Sequence, residues 1–168
     1  MRHARHGRSC DVLRAVLVHL DRAGLIVEAV APLLTSVPIG PSSRRYANGA
    51  VLVRSEREPE DVLACLKAIE ARFGRRPGGI AWRSRVLDLD IVLWSGGVFA
   101  SPVLTIPHIH FRQRAFVLLP ARAIAPSWRD PLTGCTIRQL AFRLQYPKRR
   151  LEPHRSRSAS LSKPRGMH

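Results

Sequence analysis

The chain has 168 residues, 45% of them hydrophobic, and carries 28 Lys/Arg against 12 Asp/Glu, a formal charge of +16. That length suits one domain with a buried core, and the apolar content excludes wholesale disorder. No apolar run reaches the roughly 18 residues that a membrane-spanning helix needs. Cys10, Cys65 and Cys135 are far apart and in no metal-ligand spacing, so we expect reduced thiols and no disulfide framework. Met1 to Arg14 is rich in Arg and His but lacks the apolar centre of a signal peptide, and Asp11 and Asp21 do not suit a transit peptide. We expect a cytoplasmic protein.

Residues 11–23 place Val12, Val16 and Leu20 at helical spacing, with Leu13 and Leu17 beside them and Gly24 behind as a C-cap. Residues 25–34 are apolar and fit a strand. Pro38-Ile39-Gly40-Pro41 reads as a rigid loop, and Tyr46 to Arg54 alternates as a second strand. Pro59 opens a second helix, whose stripe is Val62, Leu66, Ile69 and Phe73 and whose end is Gly74. Residues 75–84 form a basic, Gly- and Pro-containing loop, and Leu87 to Trp94 reads as a third strand. Phe111 to Ala125 reads as helical with a break at Pro120, and Thr136 to Leu144 as a last short helix. The order predicts an α+β sandwich of helices on an antiparallel sheet. We place one domain over residues 1–147. Residues 148–168 form a basic tail with seven Lys/Arg, one acid and few large apolar residues, a composition that predicts disorder. Positive charge serves a polyphosphate site as well as a nucleic-acid surface, so charge alone does not choose between them.

The segment Arg85-Val86-Leu87-Asp88-Leu89-Asp90-Ile91-Val92-Leu93 is the most informative. On a strand, Leu87, Leu89, Ile91 and Leu93 share one face and Asp88 and Asp90 the other, their Cα atoms roughly 6–7 Å apart. Asp is a poor strand former, and two adjacent carboxylates repel. Such a pair suits Mg²⁺, which binds through one or two carboxylates and completes its shell with water and phosphate oxygens. The bland reading is a wetted strand face. The arginines at 75, 76, 83 and 85 favour the phosphate reading. No Gly-x-x-x-x-Gly-Lys-Ser/Thr motif occurs, so this is not a P-loop site. His108-Ile109-His110 lacks a third ligand for a metal, and no Ser-His-Asp or Cys-His arrangement stands out.

Trp82-Arg-Ser-Arg85-Val-Leu-Asp88-Leu-Asp90-Ile91 resembles the signature of the 6-hydroxymethyl-7,8-dihydropterin pyrophosphokinases of folate biosynthesis. Further matches come in order: Pro38-Ile-Gly40-Pro41 and Tyr46-Ala-Asn48, Glu70 with Phe73-Gly74-Arg75, Leu104-Thr105-Ile-Pro107-His108, Arg114-Ala-Phe116-Val-Leu-Leu-Pro120, and Ile124-Ala-Pro126. The resemblance runs from about residue 10 to 145. It implies a ferredoxin-like α+β fold and diphosphate transfer from ATP with two Mg²⁺ ions. Asp88 and Asp90 would hold the metal, and Arg75 and Arg85 would act with them in catalysis. Ile39, Tyr46, Asn48, Trp82 and Phe116 would bind the pterin, with Phe116 stacked on its ring. Lys67, Glu70, Trp82, Arg85, Ile91, Thr105, His108 and Arg114 would line the ATP side. The partners implied are these small molecules, with neither a membrane nor a nucleic acid, and we expect a monomer.

Without the resemblance, Phe116 on a helical stripe reads as core and Asn48 as a bulge residue. The chain departs from the family pattern at Arg83-Ser84, where Gly-Pro is usual, and at Pro77, where an arginine is usual and Arg76 stands beside it. The family also opens with an apolar strand ending in Gly-Ser-Asn, whereas Met1 falls where that strand would end. We therefore expect translation to begin upstream of Met1. Two rival readings are an inactive homologue and a basic α+β nucleic-acid module. The latter wants aromatics on an open sheet face, and the chain has only five Phe, three Trp and two Tyr.

Overall fold

The computed structural model describes residues 9–36, 46–74 and 87–146. The expectations placed on Met1 to Arg8, the Pro38–Pro41 loop, the 75–84 loop and the tail fall outside these residues. Helix α1 (Ser9–Arg22) buries Val12, Val16 and Leu20 along one stripe. It ends where Gly24 takes φ +75°, a conformation that costs glycine least, and Leu25 N–H donates back to the Leu20 carbonyl at 3.0 Å.

The two expected strands form a long antiparallel ribbon with two irregularities. Strands β1 (Ile26–Val30) and β4 (Val51–Arg54) pair with a register shift between Val27 and Ala29. Ala31 N–H donates to the Ala50 carbonyl at 2.9 Å, and β2 (Leu34–Ser36) then pairs with β3 (Tyr46–Asn48), with Leu34 opposite Asn48. Each irregularity adds one residue to the first strand, which bends and twists the ribbon.

Helix α2 (Pro59–Arg72) starts with Pro59 at its first turn, Glu60 and Asp61 beside the positive end of its dipole, and Arg72 at the other end. Its Leu66 and Ile69, with Phe73 just beyond, meet Val12, Val16, Leu20, Leu25 and Leu87 in the first buried cluster. Fully burying an aliphatic or aromatic side chain contributes roughly 1.5–3 kcal/mol, so this cluster is the main fastening of the two helices to the ribbon.

The third expected strand is not one in the structure. Residues 87–94 join no ladder among the described residues. Alternation of side chains does not make a strand; main-chain pairing does. The alternation itself holds only in part: Leu87, Leu89 and Ile91 pack on the first cluster, but Val92 and Leu93 both turn to a second one. The described strands therefore form three two-stranded sheets rather than a single sheet. The third is a hairpin the sequence did not reveal, β5 (Phe99–Ala100) with β6 (Thr105–Ile106), closed by Ser101 N–H to the Leu104 carbonyl at 2.8 Å.

The expected helix 111–125 is interrupted, but at Arg114 rather than at Pro120. A 3₁₀ turn (Phe111–Gln113) gives way to extended Arg114, with φ −108° and ψ 101°, before α3 (Ala115–Ile124). Pro120 stays inside α3 and is buried. Its missing N–H costs the helical bond to the Phe116 carbonyl. Helix α4 (Ile137–Gln145) is opened by a reciprocal cap, Gln139 N–H to Thr136 Oγ1 at 3.2 Å and Thr136 N–H to Gln139 Oε1 at 2.8 Å. Phe111, Leu118, Cys135, Ile137, Leu140 and Ala141 form the second buried cluster. No helix among the described residues is long and apolar enough to cross a membrane.

Candidate active site

Asp88 and Asp90 are exposed, while Leu87 between helices and core is buried and Leu89 is half-buried. The alternation read from the sequence is thus realised over these four residues. Among the described residues, what holds them is not a neighbouring strand. Glu70, on the last turn of α2, is fully buried, and its Oε1 accepts the Leu89 N–H at 2.7 Å. Its Oε2 accepts from Lys67 Nζ at 3.3 Å, a pairing one helical turn apart in which the lysine side chain is 42% exposed. A charged acceptor makes a stronger bond to a peptide N–H than a neutral carbonyl does.

The other end of the segment is fastened by His108, whose N–H donates to the Val92 carbonyl at 3.0 Å. Its ring follows the cis Ile106–Pro107 bond that leads out of β6. Nδ1 accepts the His110 N–H at 3.2 Å, and Nε2 lies 3.9 Å from Asp90 Oδ2. With Nδ1 serving as acceptor, Nε2 is the nitrogen left to face the carboxylate. Thr105 is exposed on the preceding strand.

Arg114 and Phe116 open α3, which packs against β2, β3 and β4. Both side chains are half-buried, and the Arg114 guanidinium carbon lies 5.8 Å from the Phe116 ring centroid. Phe116 belongs to neither buried cluster of the described residues. Half-buried Asn48 sits on β3, one of the strands that α3 contacts.

Asp130 is a buried acid that sequence reasoning missed. Arg112 grips it twice, Nε to Oδ2 at 2.7 Å and Nη2 to Oδ1 at 2.6 Å, and the Leu132 N–H and Thr133 hydroxyl also donate to it. Hydrogen bonding from Arg112 holds the Asp130 carboxyl below the ordinary carboxylate range; burial opposes this, and Thr133 and Leu132 assist it. The same bond pushes Arg112 above its ordinary value. The knot fixes the 3₁₀ turn two residues before Arg114. Its signal was the Asp-Pro-Leu-Thr-Gly run at 130–134, a turn in which an Asp side chain commonly caps the N–H two residues on.

The structure thus gathers Asp88, Asp90, His108, Glu70 and Lys67 around one extended segment, and Arg114, Phe116 and Asn48 on α3 and the ribbon beside it. Ile91 packs on the first cluster. Tyr46 contributes its backbone to β3. Ile39, Arg75, Trp82 and Arg85 lie outside the described residues. Among the described residues no group of three or more His, Cys, Asp and Glu is gathered for a metal.

A family model described as 7,8-dihydro-6-hydroxymethylpterin-pyrophosphokinase matches residues 4–126. The chain belongs to this pyrophosphokinase family. It is similar to the 2-amino-4-hydroxy-6-hydroxymethyldihydropteridine pyrophosphokinase of Synechocystis sp., with 41% identity over 135 residues, 80% of this chain and 69% of the relative. The Pseudomonas aeruginosa protein of the same name is 41% identical over 104 residues, and the match spans 64% of its length. The Methylorubrum extorquens protein is 34% identical over 140 residues, 82% of this chain and 87% of that relative. The family match contains the carboxylate pair, His108, Arg114 and Phe116, and ends short of Asp130.

Proposed function

We propose that this chain transfers the diphosphate of ATP to the hydroxymethyl oxygen of 6-hydroxymethyl-7,8-dihydropterin, releasing AMP, as a step of folate biosynthesis. The observation that carries the reading is the pair of exposed carboxylates on an apolar segment anchored from behind by Glu70. Such an arrangement keeps two acids facing outward where solvent and substrate can reach them.

The substrate oxygen bonds to the β-phosphorus as the bridge to the α-phosphorus breaks, AMP departs with that bridging oxygen, and the hydroxyl proton passes to water. No covalent enzyme intermediate is required; positioning and electrostatics supply the rate. Asp88 and Asp90 offer oxygen donors only, which fits two Mg²⁺ ions whose remaining ligands are water and phosphate. Bound there, the ions would neutralise charge on the transferring group. Arg75 and Arg85 steady the polyphosphate. Lys67, Trp82, Ile91, Thr105, His108 and Arg114 serve the ATP side. Phe116 stacks on the pterin ring, with Ile39, Tyr46, Asn48 and Trp82 completing that pocket. A flat heteroaromatic ligand needs such a stacking face and a few fixed polar groups. We assign the whole a ferredoxin-like topology over residues 1–147, a cytoplasmic location and a monomeric state.

The test is AMP formation measured by chromatography with ATP, Mg²⁺ and the hydroxymethyl pterin. AMP that appears only when all three are present supports the reading. Release of ADP, or AMP formation indifferent to the pterin, overturns it.

A further inference from the structure

The Glu70 side chain stands on the ATP side by family resemblance, yet in the structure it is fully buried and spends one carboxylate oxygen on a peptide N–H. That N–H belongs to Leu89, the residue between Asp88 and Asp90. The Leu89 side chain packs on the first buried cluster. The residue is therefore held by its side chain on the core and by its amide on Glu70. A shift of this peptide displaces both flanking aspartates together, because each is joined to Leu89 by one planar peptide unit. Glu70 in turn sits on the last turn of α2, whose Ile69 and following Phe73 are among the most buried residues of the same cluster. The rigid core thus reaches the exposed acids through the apolar side chains of Leu87, Leu89 and Ile91 and, at the main chain between the acids, through Glu70.

We propose that Glu70 is the positioning residue of the carboxylate pair. It acts through the Leu89 amide, setting the spacing and direction of Asp88 and Asp90 and so their grip on a divalent cation, without touching the nucleotide. This rests on the reading of Asp88 and Asp90 as cation ligands. The length of the side chain brings Oε1 to 2.7 Å from the Leu89 nitrogen; reach makes the bond, and charge strengthens it.

Two variants separate length from charge. Glu70→Gln keeps the reach and an acceptor oxygen, and Glu70→Asp keeps the charge but is one carbon too short. Binding of Mn²⁺ alone, followed by electron paramagnetic resonance, and the Mg²⁺ and ATP dependence of turnover are measured on both. We expect Glu70→Asp to weaken Mn²⁺ binding about tenfold and to lower kcat by a similar factor, with KM for ATP within about threefold. A tenfold change corresponds to about 1.4 kcal/mol, near the weak end of what a hydrogen bond to a charged group contributes, as expected for a bond lengthened rather than removed. Glu70→Gln should keep Mn²⁺ affinity and kcat to within about threefold. Three results overturn the proposal: equal damage from both variants, Mn²⁺ affinity unchanged in Glu70→Asp, or a rise in KM for ATP as the main effect. Asp88→Ala, with Glu70 intact, distinguishes the two levels. If it leaves Mn²⁺ binding untouched, the cation reading itself fails.

Discussion

Glu70 and Asp130 are the two fully buried charged residues of the described chain, one beneath each part of the site. Asp130 is enclosed by its own kind of partner. A bidentate arginine, a hydroxyl and a turn amide all point at it across 2 to 18 residues of sequence. It closes a local knot whose outer edge is the turn leading to Arg114 and Phe116. Glu70 reaches across 19 residues to one amide of an extended segment that joins no ladder among the described residues. The first acid stiffens a scaffold; the second aims a site. The difference should appear as a split between stability and turnover, and the substitutions below are chosen to sharpen or break it.

The largest effect should come from the acids that Glu70 aims. Asp88→Ala or Asp90→Ala is expected to lower kcat about a thousandfold or more, on the order of 4 kcal/mol of transition-state stabilisation. Both are exposed, so the melting temperature should hold within a few degrees. Near-normal turnover of either variant in Mg²⁺ would remove the metal assignment.

Asp130→Ala should do the reverse. Removing one partner of a buried pair costs about 3 kcal/mol, which for a chain of this size lowers Tm by roughly 6–12 °C. Turnover measured well below that Tm should stay within about threefold. The sign of the pH dependence follows from the lowered Asp130 pKa. The folded chain binds this proton less readily than the unfolded chain, so the pair stabilises fully above the ordinary carboxylate value of about 4 and that contribution is lost as pH falls toward the lower, folded value. Urea titrations at several acidic pH values should show a steeper loss of stability for the parent chain than for Asp130→Asn. Parallel curves would contradict the assignment.

A smaller effect is expected at Phe116. Replacement by Ala should raise KM for the pterin roughly tenfold, matching the loss of one aromatic stacking contact of about 0.5–1.5 kcal/mol with part of its buried area. Since Phe116 lies outside both buried clusters, Tm should change little. A fall in Tm like that of a core truncation would return this ring to the core. The smallest effect belongs to the tail: removal of residues 148–168 should leave kcat and both KM values within about threefold, a view motivated by a composition poor in large apolar residues. A large loss would give the tail a part in the site.

What could be read from the sequence was what is decided locally. The stripes Val12-Val16-Leu20 and Val62-Leu66-Ile69-Phe73 mark α1 and α2 because a helix closes its hydrogen bonds within four residues and shows its buried face at a fixed period. The carboxylate pair and its outward face were legible for a similar reason. Pairing was not. Residues 87–94 have a strand's pattern but join no ladder among the described residues, and the short β5–β6 hairpin has too few residues for a pattern. In the 111–125 region the sequence points to Pro120, the residue type that breaks helices most often, whereas the extended backbone belongs to Arg114. Glu70 could not be read as inward-facing, because its partner is a backbone N–H and backbone groups carry no signature of their own.

The central claim is that the β- and γ-phosphates leave ATP as one unit under the control of Asp88 and Asp90. Phosphorus-31 NMR of the reaction with Mg²⁺ and hydroxymethyl-dihydropterin tests it most directly. The account predicts AMP and a pterin diphosphate growing in a one-to-one ratio, with neither ADP nor free phosphate, and both signals suppressed on the order of a thousandfold in Asp90→Ala. Formation of ADP with a pterin monophosphate, or undiminished AMP formation by Asp90→Ala, would contradict it.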